Sequence, residues 1–347
     1  MVPLVTFAHL PIAHQPYQAD RIGPRARELC VCGVTCMTER SSVDVSVTVI
    51  TRNRAPVLGH CLRALADQSL DSSLYEIVVV DDGSTDETTA VIEAAQRQDR
   101  CQIRAFRFPE HRGICAARNL SVREARGEVI AFVDSDGLVL PSFLSVHLAA
   151  HRHGHGNLIC RGPIITIDSL DHPFPARRSL LDLNTSFFDA NNASVRREHL
   201  LRAGLFDEMQ FDYEGLEIGV RLRRLGLRRV YRADAPLYHY QPPVAPERLA
   251  VLLQREEDRA RAARRFFTRH PTLEVRLMTS QTPLHRWLNV LQRGFGVVRA
   301  DNLLTWVERC RRWRVPALGG VLIGGVLTER YLSHLQLLSR GDRPRSE

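Results

Sequence analysis

From Val43 to Gly137 the chain alternates short apolar runs with helical patterns, and this alternation constrains the fold more than any other feature. "VDVSVTVI" alternates like a strand, and "RAPVLGHCLRALADQSL" repeats leucine at helical spacing, at Leu58, Leu62 and Leu65. "YEIVVVDDGSTDETTAVIEAAQ" predicts a fully buried strand, a turn at Gly83 and a helix whose start carries the Ser84 to Glu87 capping-box spacing. "CQIRAFRF" reads as a third strand, "GICAARNLSVREARG" as a helix and "EVIAFVD" as a fourth strand. Strand and helix in strict turn predict an α/β fold with a mostly parallel sheet covered on both faces.

A sheet of this kind binds ligands outside the carboxyl ends of its strands. Asp81 and Asp82 close the second strand, and Asp134 and Asp136 close the fourth, so carboxylates gather at one edge. Like charges gathered without a counter-ion raise one another's pKa. A divalent cation, Mg²⁺ or Mn²⁺, removes the conflict, because it is held by one or two carboxylates together with phosphate oxygens and water. Aspartate, spacer, aspartate is by itself a common solvated turn; its place directly after "VIAFV" favours the metal.

The rest of the 347 residues is less regular. Residues 1–42 predict an irregular extension without a secretory pattern, with Met37 as an alternative start. Between Pro141 and Leu183 the pattern suggests a helix, edge strands and a long loop, with "HRHGHG" as a solvated turn. "VRREHLLRAGLFDE" and "LEIGVRLRRLG" predict helices, Asn192 or Ser194 capping the first. Pro242, Pro243 and Pro246 mark a boundary, and residues 243–347 form an arginine-rich helical region. Its apolar run from Val315 to Leu327 is shorter than the roughly 20 residues a spanning helix needs. Trp, Phe and Leu interleaved with arginine suit a helix lying on an anionic membrane surface, and equally helices packed on the catalytic domain or on a second subunit.

Net charge is +8 and all 47 basic residues are arginine, which points to an anionic partner: a nucleotide, a membrane surface or nucleic acid. No nucleic-acid module or aromatic platform accompanies the charge, so nucleic acid is not expected. The eight cysteines form no paired framework, and Cys30, Cys32 and Cys36 lack a fourth zinc ligand nearby. Reduced thiols and a cytoplasmic protein follow.

Six stretches, in order, resemble glycosyltransferase family 2: "VSVTVITRNR", "EIVVVDDGSTDET", "RGICAARNLSVREARGEVIAFVDSDG", "NNASVRREHLLRAGLFDE", "LEIGVRLRRLG" and "APLYHY". The resemblance implies a GT-A fold over residues 43–242, binding a nucleotide-diphospho-sugar and a divalent cation and passing the sugar to an acceptor hydroxyl on a glycan, lipid or small molecule. It also implies roles for individual residues. Thr51, Arg54 and Asp82 would meet the nucleotide, Arg112, Gly113 and Arg118 would border nucleotide and diphosphate, and Asp134 would face ribose or metal. Asp136 would ligate the metal, with His239 completing the metal or diphosphate site. Asn191, Asn192 and Arg196 would touch donor sugar or acceptor.

An inverting displacement also needs a carboxylate base near the acceptor hydroxyl. Family members commonly carry Glu-Asp before the "LGxRLRRxG" helix, with the aspartate as base. Here Glu214 is followed by Gly215, leaving Asp212, Glu214 and Glu217. Glu214 is the first expectation, because helix N-terminal N–H groups help hold an anion, and Asp212 the second. The glycine keeps open a second possibility, a sugar-nucleotide-binding scaffold that has lost its base. Peripheral contact with the inner face of the plasma membrane and homo-oligomerisation complete the expectations.

Overall fold

The computed structural model describes residues 43–154, 157–170, 186–210, 212–241, 249–313 and 315–341. Residues 1–42, with Cys30, Cys32, Cys36 and the alternative start at Met37, lie outside them, as do Pro242, Pro243 and Pro246 at the expected boundary.

The first half follows its hydrophobic pattern: β1 (Val45–Thr51), α1 (Ala55–Ala66), β2 (Tyr75–Asp81), α2 (Thr88–Gln96), β3 (Gln102–Arg107), α3 (Ile114–Glu124) and β4 (Val129–Asp134). Every residue of β2 is buried, as a strand covered on both faces requires. Its inner carboxylate, Glu76, is fully engaged there, accepting from Ser46 Oγ at 2.7 Å, the Arg126 amide at 2.7 Å and Arg104 at 3.2 Å. The predicted capping box does not form. Helix α2 begins at Thr88, whose amide is taken by Asp86, while Ser84 Oγ accepts from the Asn53 amide in the facing loop.

Next come β5 (Gly137–Val139), α4 (Phe143–His153), β6 (Leu158–Arg161), β7 (Ile164–Ile167), β8 (Asn192–Arg196), α5 (Arg197–Arg202), α6 (Glu214–Arg224), β9 (Arg228–Tyr231) and β10 (Leu237–Tyr240). The seven-stranded sheet runs β3-β2-β1-β4-β8-β6-β9. Strands β1 to β4 are mutually parallel, β8 is antiparallel to β4 and β6, and β9 is parallel to β6. A second sheet, β5-β10-β7, sets His239 opposite Gly137.

Two local expectations change here. Asn192 and Ser194 lie in a strand rather than capping a helix; Asn192 donates to the carbonyls of Pro163 and Ala235, both at 2.9 Å. His151 lies in the last turn of α4 instead of sitting in a solvated turn. It is buried, and its Nε2 lies 2.9 Å from Ser194 Oγ, which also meets His147 Nδ1 at 2.8 Å. Burial pushes the His151 imidazole down to about 4, so it stays neutral.

The C-terminal helices are α7 (Leu249–Arg269), α8 (Leu273–Met278), α9 (Pro283–Gln292), α10 (Leu303–Arg312) and α11 (Pro316–Gly341). Ala260, Ala263, Phe266, Tyr331 and Leu335 share a buried cluster with Tyr213 and Val220, which fastens α7 and α11 to α6. Among the described residues no helix is long and apolar enough to cross a membrane.

Candidate active site

Strand register decides where the carboxylates meet. Thr51 pairs with Asp81 and Ile50 with Asp134, so β1, β2 and β4 end level with one another. The chain turns after Asp134 into β5, and β10 returns beside it, with the Tyr240 amide donating to the Asp136 carbonyl at 3.0 Å. Asp134, Asp136 and His239 therefore converge, each offering a ligand atom within 4.8 Å of the others. Two carboxylate oxygens and an imidazole nitrogen form a donor set that Mn²⁺ or Mg²⁺ accepts, with room in the open cleft for further oxygens.

Charge is unevenly compensated within this cluster. Burial raises the Asp134 carboxyl to about 6; Arg118, 3.6 Å away, opposes the shift and Asp136 adds to it. Burial would also raise Asp136, but the hydrogen bond and charge of His239 at 3.2 Å and Arg54 at 3.5 Å outweigh it and hold the carboxyl below its usual value. His239 is raised chiefly by the same hydrogen bond.

Arg118 joins this cluster to the next. Its side chain is 3% exposed, one face of the guanidinium lies over Phe206 at 5.6 Å, and Nη1 donates to Glu214 Oε1 at 2.7 Å. A buried guanidinium requires paired acceptors, and Asp134 and Glu214 supply them. Glu214 opens α6, and its Oε2 makes no hydrogen bond among the described residues. Asp212 lies two residues earlier at φ +58°, a left-handed backbone unusual outside glycine. Its carboxyl is raised by burial, with Arg255 opposing and Glu214 reinforcing. Glu217, the third carboxylate, is fully buried and held by Arg221 at 2.5 Å and His270 at 2.9 Å, which reserves it for bolting α6 to α7.

Arg54, Gly113, Arg118, Asp134, Asp136, Asp212, Glu214 and His239 line one cleft of about 950 Å³, and Asn191 joins them. Asn192 and Arg196 of β8 do not line it, and Asp82, Thr51 and Arg112 also stand back from it. Asp82 is buried and occupied, accepting from the amides of Arg112 at 2.7 Å and Gly113 at 3.0 Å and from His111 at 2.7 Å, so it shapes the turn before α3. Gly113 takes φ +97° in that turn, where a side chain would be strained. Thr51 is buried beneath the edge, and the Arg112 guanidinium packs over Phe108 at 4.8 Å.

Residues 46–231 match the sequence profile described as Glycosyl transferase family 2. The chain belongs to this family. Family membership fits the strand-end carboxylates and the α6 helix already described. The chain is 38% identical over 323 residues to validoxylamine A glucosyltransferase of Streptomyces hygroscopicus subsp. jinggangensis, covering 79% of this chain and 69% of the relative. It is 26% identical over 260 residues to the uncharacterized glycosyltransferase YfnE of Bacillus subtilis, covering 58% of this chain and 66% of that one. This chain thus spans about two thirds of the length of these relatives. The fold is shared with a mannosyltransferase of Pyrobaculum calidifontis in complex with GDP-Man and Mn²⁺, at TM-score 0.55 and 19% identity, covering 83% of this chain and 86% of that chain. That likeness is to a glycosyltransferase with the same layered α/β architecture.

One wall of the cleft was not anticipated. Arg255, Asp258, Arg261 and Arg265 of α7 line it, beyond the family match. Their spacing of three to four residues was visible in "REEDRARAARR" as a helical face, but nothing in the pattern says which surface that face meets. His111 also lines the cleft and reaches Asp82.

Proposed function

We propose that this protein is an inverting, metal-dependent glycosyltransferase that passes a sugar from a nucleotide-diphospho-sugar to an acceptor hydroxyl. The observation that carries this is the convergence of Asp134, Asp136 and His239 in the same cleft as Arg54, Arg118 and Glu214.

Asp136 and His239 would hold Mn²⁺ or Mg²⁺, with Asp134 facing the metal or the donor ribose. Bound there, the cation would neutralise charge on the departing diphosphate as a Lewis acid. Arg54 and Arg118 add fixed positive charge at the same edge, where a developing anion is stabilised without reorganisation. Thr51 and the turn that Asp82 ties to Arg112 and Gly113 would support the nucleotide rather than grip it from the cleft. Glu214, held through Oε1 by Arg118, would take the acceptor proton at Oε2, and Asp212 is the alternative base. The new C–O bond forms as the C–O bond to diphosphate breaks, and the acceptor proton passes to the carboxylate.

The acceptor is proposed to be a polyhydroxylated small molecule or a glycan, in line with the relative named for validoxylamine A. We take the cytoplasmic side of a membrane as the place of work, and treat residues 43–242 and 243–347 as catalytic and accessory parts. Gly215 favours a second function, a sugar-nucleotide-binding scaffold without turnover.

A panel of nucleotide-sugars screened by thermal shift with Mn²⁺ tests donor binding directly, since a ligand stabilises the state it binds by mass action. One donor should raise the melting temperature in a Mn²⁺-dependent way. No shift with any donor would contradict the proposal.

A further inference from the structure

Helix α9 is amphipathic the wrong way round for a helix packed on its own protein. Leu284, Trp287, Leu288 and Leu291 recur at the spacing of one helical face, and they are 59%, 60%, 43% and 37% exposed. The residue that α9 buries is polar: Asn289, 1% exposed, donates to the Gly325 carbonyl of α11 at 2.7 Å. The stripe continues into the following turn, where Phe295 is 79% and Val297 58% exposed. That turn holds Phe295 at φ +57° between Gly294 and Gly296, both also at positive φ, so a large ring is kept at an exposed tip in a backbone that disfavours it. Contiguous apolar surface of this kind marks a place where something docks.

Charge identifies the occupant. From Thr279 to Ala300 the sequence has no Asp or Glu, whereas Arg286, Arg293 and Arg299 fall within it. Arg293 is paired with Glu329 at 2.8 Å, but among the described residues the side chains of Arg286 and Arg299 have no ion-pair partner. An apolar stripe containing tryptophan, on a segment that carries arginine and no carboxylate, fits the interface of an anionic bilayer, with acyl chains against the stripe and the excess positive charge drawing the segment to anionic headgroups. No described helix can cross, so the contact lies along the surface.

We propose that α9 and the turn after it dock this protein on a membrane bearing anionic lipids. This specifies the proposed place of work, yet it rests on the α9 surface alone, so its failure would leave the assignment of the cleft untouched.

The test is co-sedimentation of the full chain with phosphatidylcholine vesicles, with and without phosphatidylglycerol, at low and high salt. Expected is binding to the anionic vesicles only, weakened by salt, with blue-shifted tryptophan emission. Arg286→Gln and Arg299→Gln should each lower the partition coefficient about fivefold. Trp287→Ser with Phe295→Ser should abolish both binding and blue shift, while donor-dependent thermal stabilisation of the same variant reports an intact fold. Equal binding to neutral vesicles, or none to either, overturns the proposal. So does a dimer in sedimentation velocity that the Trp287→Ser, Phe295→Ser variant dissolves without any vesicle binding by the parent chain, since the stripe would then serve self-association.

Discussion

Arg118 Nη1 lies 2.7 Å from Glu214 Oε1 and Arg118 Nη2 lies 3.6 Å from Asp134 Oδ1, so one buried guanidinium ties the strand-end carboxylate to the carboxylate at the start of α6. Arg118→Ala leaves two carboxylates facing a cleft without their shared cation. Removing one partner of a buried pair typically costs about 3–5 kcal/mol, which would lower the melting temperature, and turnover should fall with it. Arg118→Lys keeps the charge but lacks the two-pronged geometry; it should restore most of the stability and little of the turnover. Melting curves and steady-state rates on the two variants separate these effects.

Glu214→Gln should reduce turnover by about 10² or more, the usual contribution of a positioned base, with donor KM changed by less than about threefold. Asp212→Asn should reduce it less. The reverse order would transfer the role of base to Asp212, whose raised pKa and left-handed backbone give it the physical profile of a functional carboxylate.

Gly215 can be tested by adding what it lacks. A Cβ there would lie 3.6 Å from the Ala190 amide nitrogen and 3.8 Å from the Phe188 carbonyl, ordinary contacts. Aspartate in the first turn of α6 is also favoured by the helix dipole, by about 0.3–1 kcal/mol. Gly215→Asp should therefore fold with an unchanged or higher melting temperature. Turnover within about threefold of the parent supports Glu214 as base, whereas a rise of about 10² would mean that the parent is degenerate and the scaffold function correct.

Metal affinity should depend on pH. The cation needs Asp134 ionised and the His239 nitrogen unprotonated, and both groups are raised, Asp134 to about 6. Protons therefore compete for the site as the solution is acidified: the apparent Mn²⁺ affinity should fall steadily with falling pH and be about tenfold or more weaker at pH 5 than at pH 8. Isothermal titration across that range reads the slope, and a flat profile would place the metal elsewhere.

How far the sequence disclosed this site follows from the range over which each signal acts. Burial patterning of "YEIVVVD" and "VIAFVD" fixes strands locally, and parallel pairing then aligns Asp81 and Asp134, so the strand-end carboxylates were legible. His239 was legible as a residue within "LYHY", whereas its place beside Asp136 depends on β10 pairing with β5 across 98 residues or more, which no local pattern encodes. Ser84 and Glu87 have capping-box spacing, yet the Asn53 amide in a loop 31 residues away took the Ser84 hydroxyl instead. The arginines of α7 show their helical face but not the cleft it lines, because a helix face selects its neighbour by tertiary packing. Tyr213, between the two candidate bases, was likewise silent: its hydroxyl lies 3.1 Å from that of Tyr331 on α11, 118 residues on.

The most direct measurement is nucleoside diphosphate release from the donor found by thermal shift, comparing the parent chain with Asp136→Ala in Mn²⁺ and in EDTA. The account predicts release by the parent in Mn²⁺, its loss in EDTA and return on adding the metal back, and none from a folded Asp136→Ala. Release that is indifferent to EDTA and retained by Asp136→Ala would contradict it.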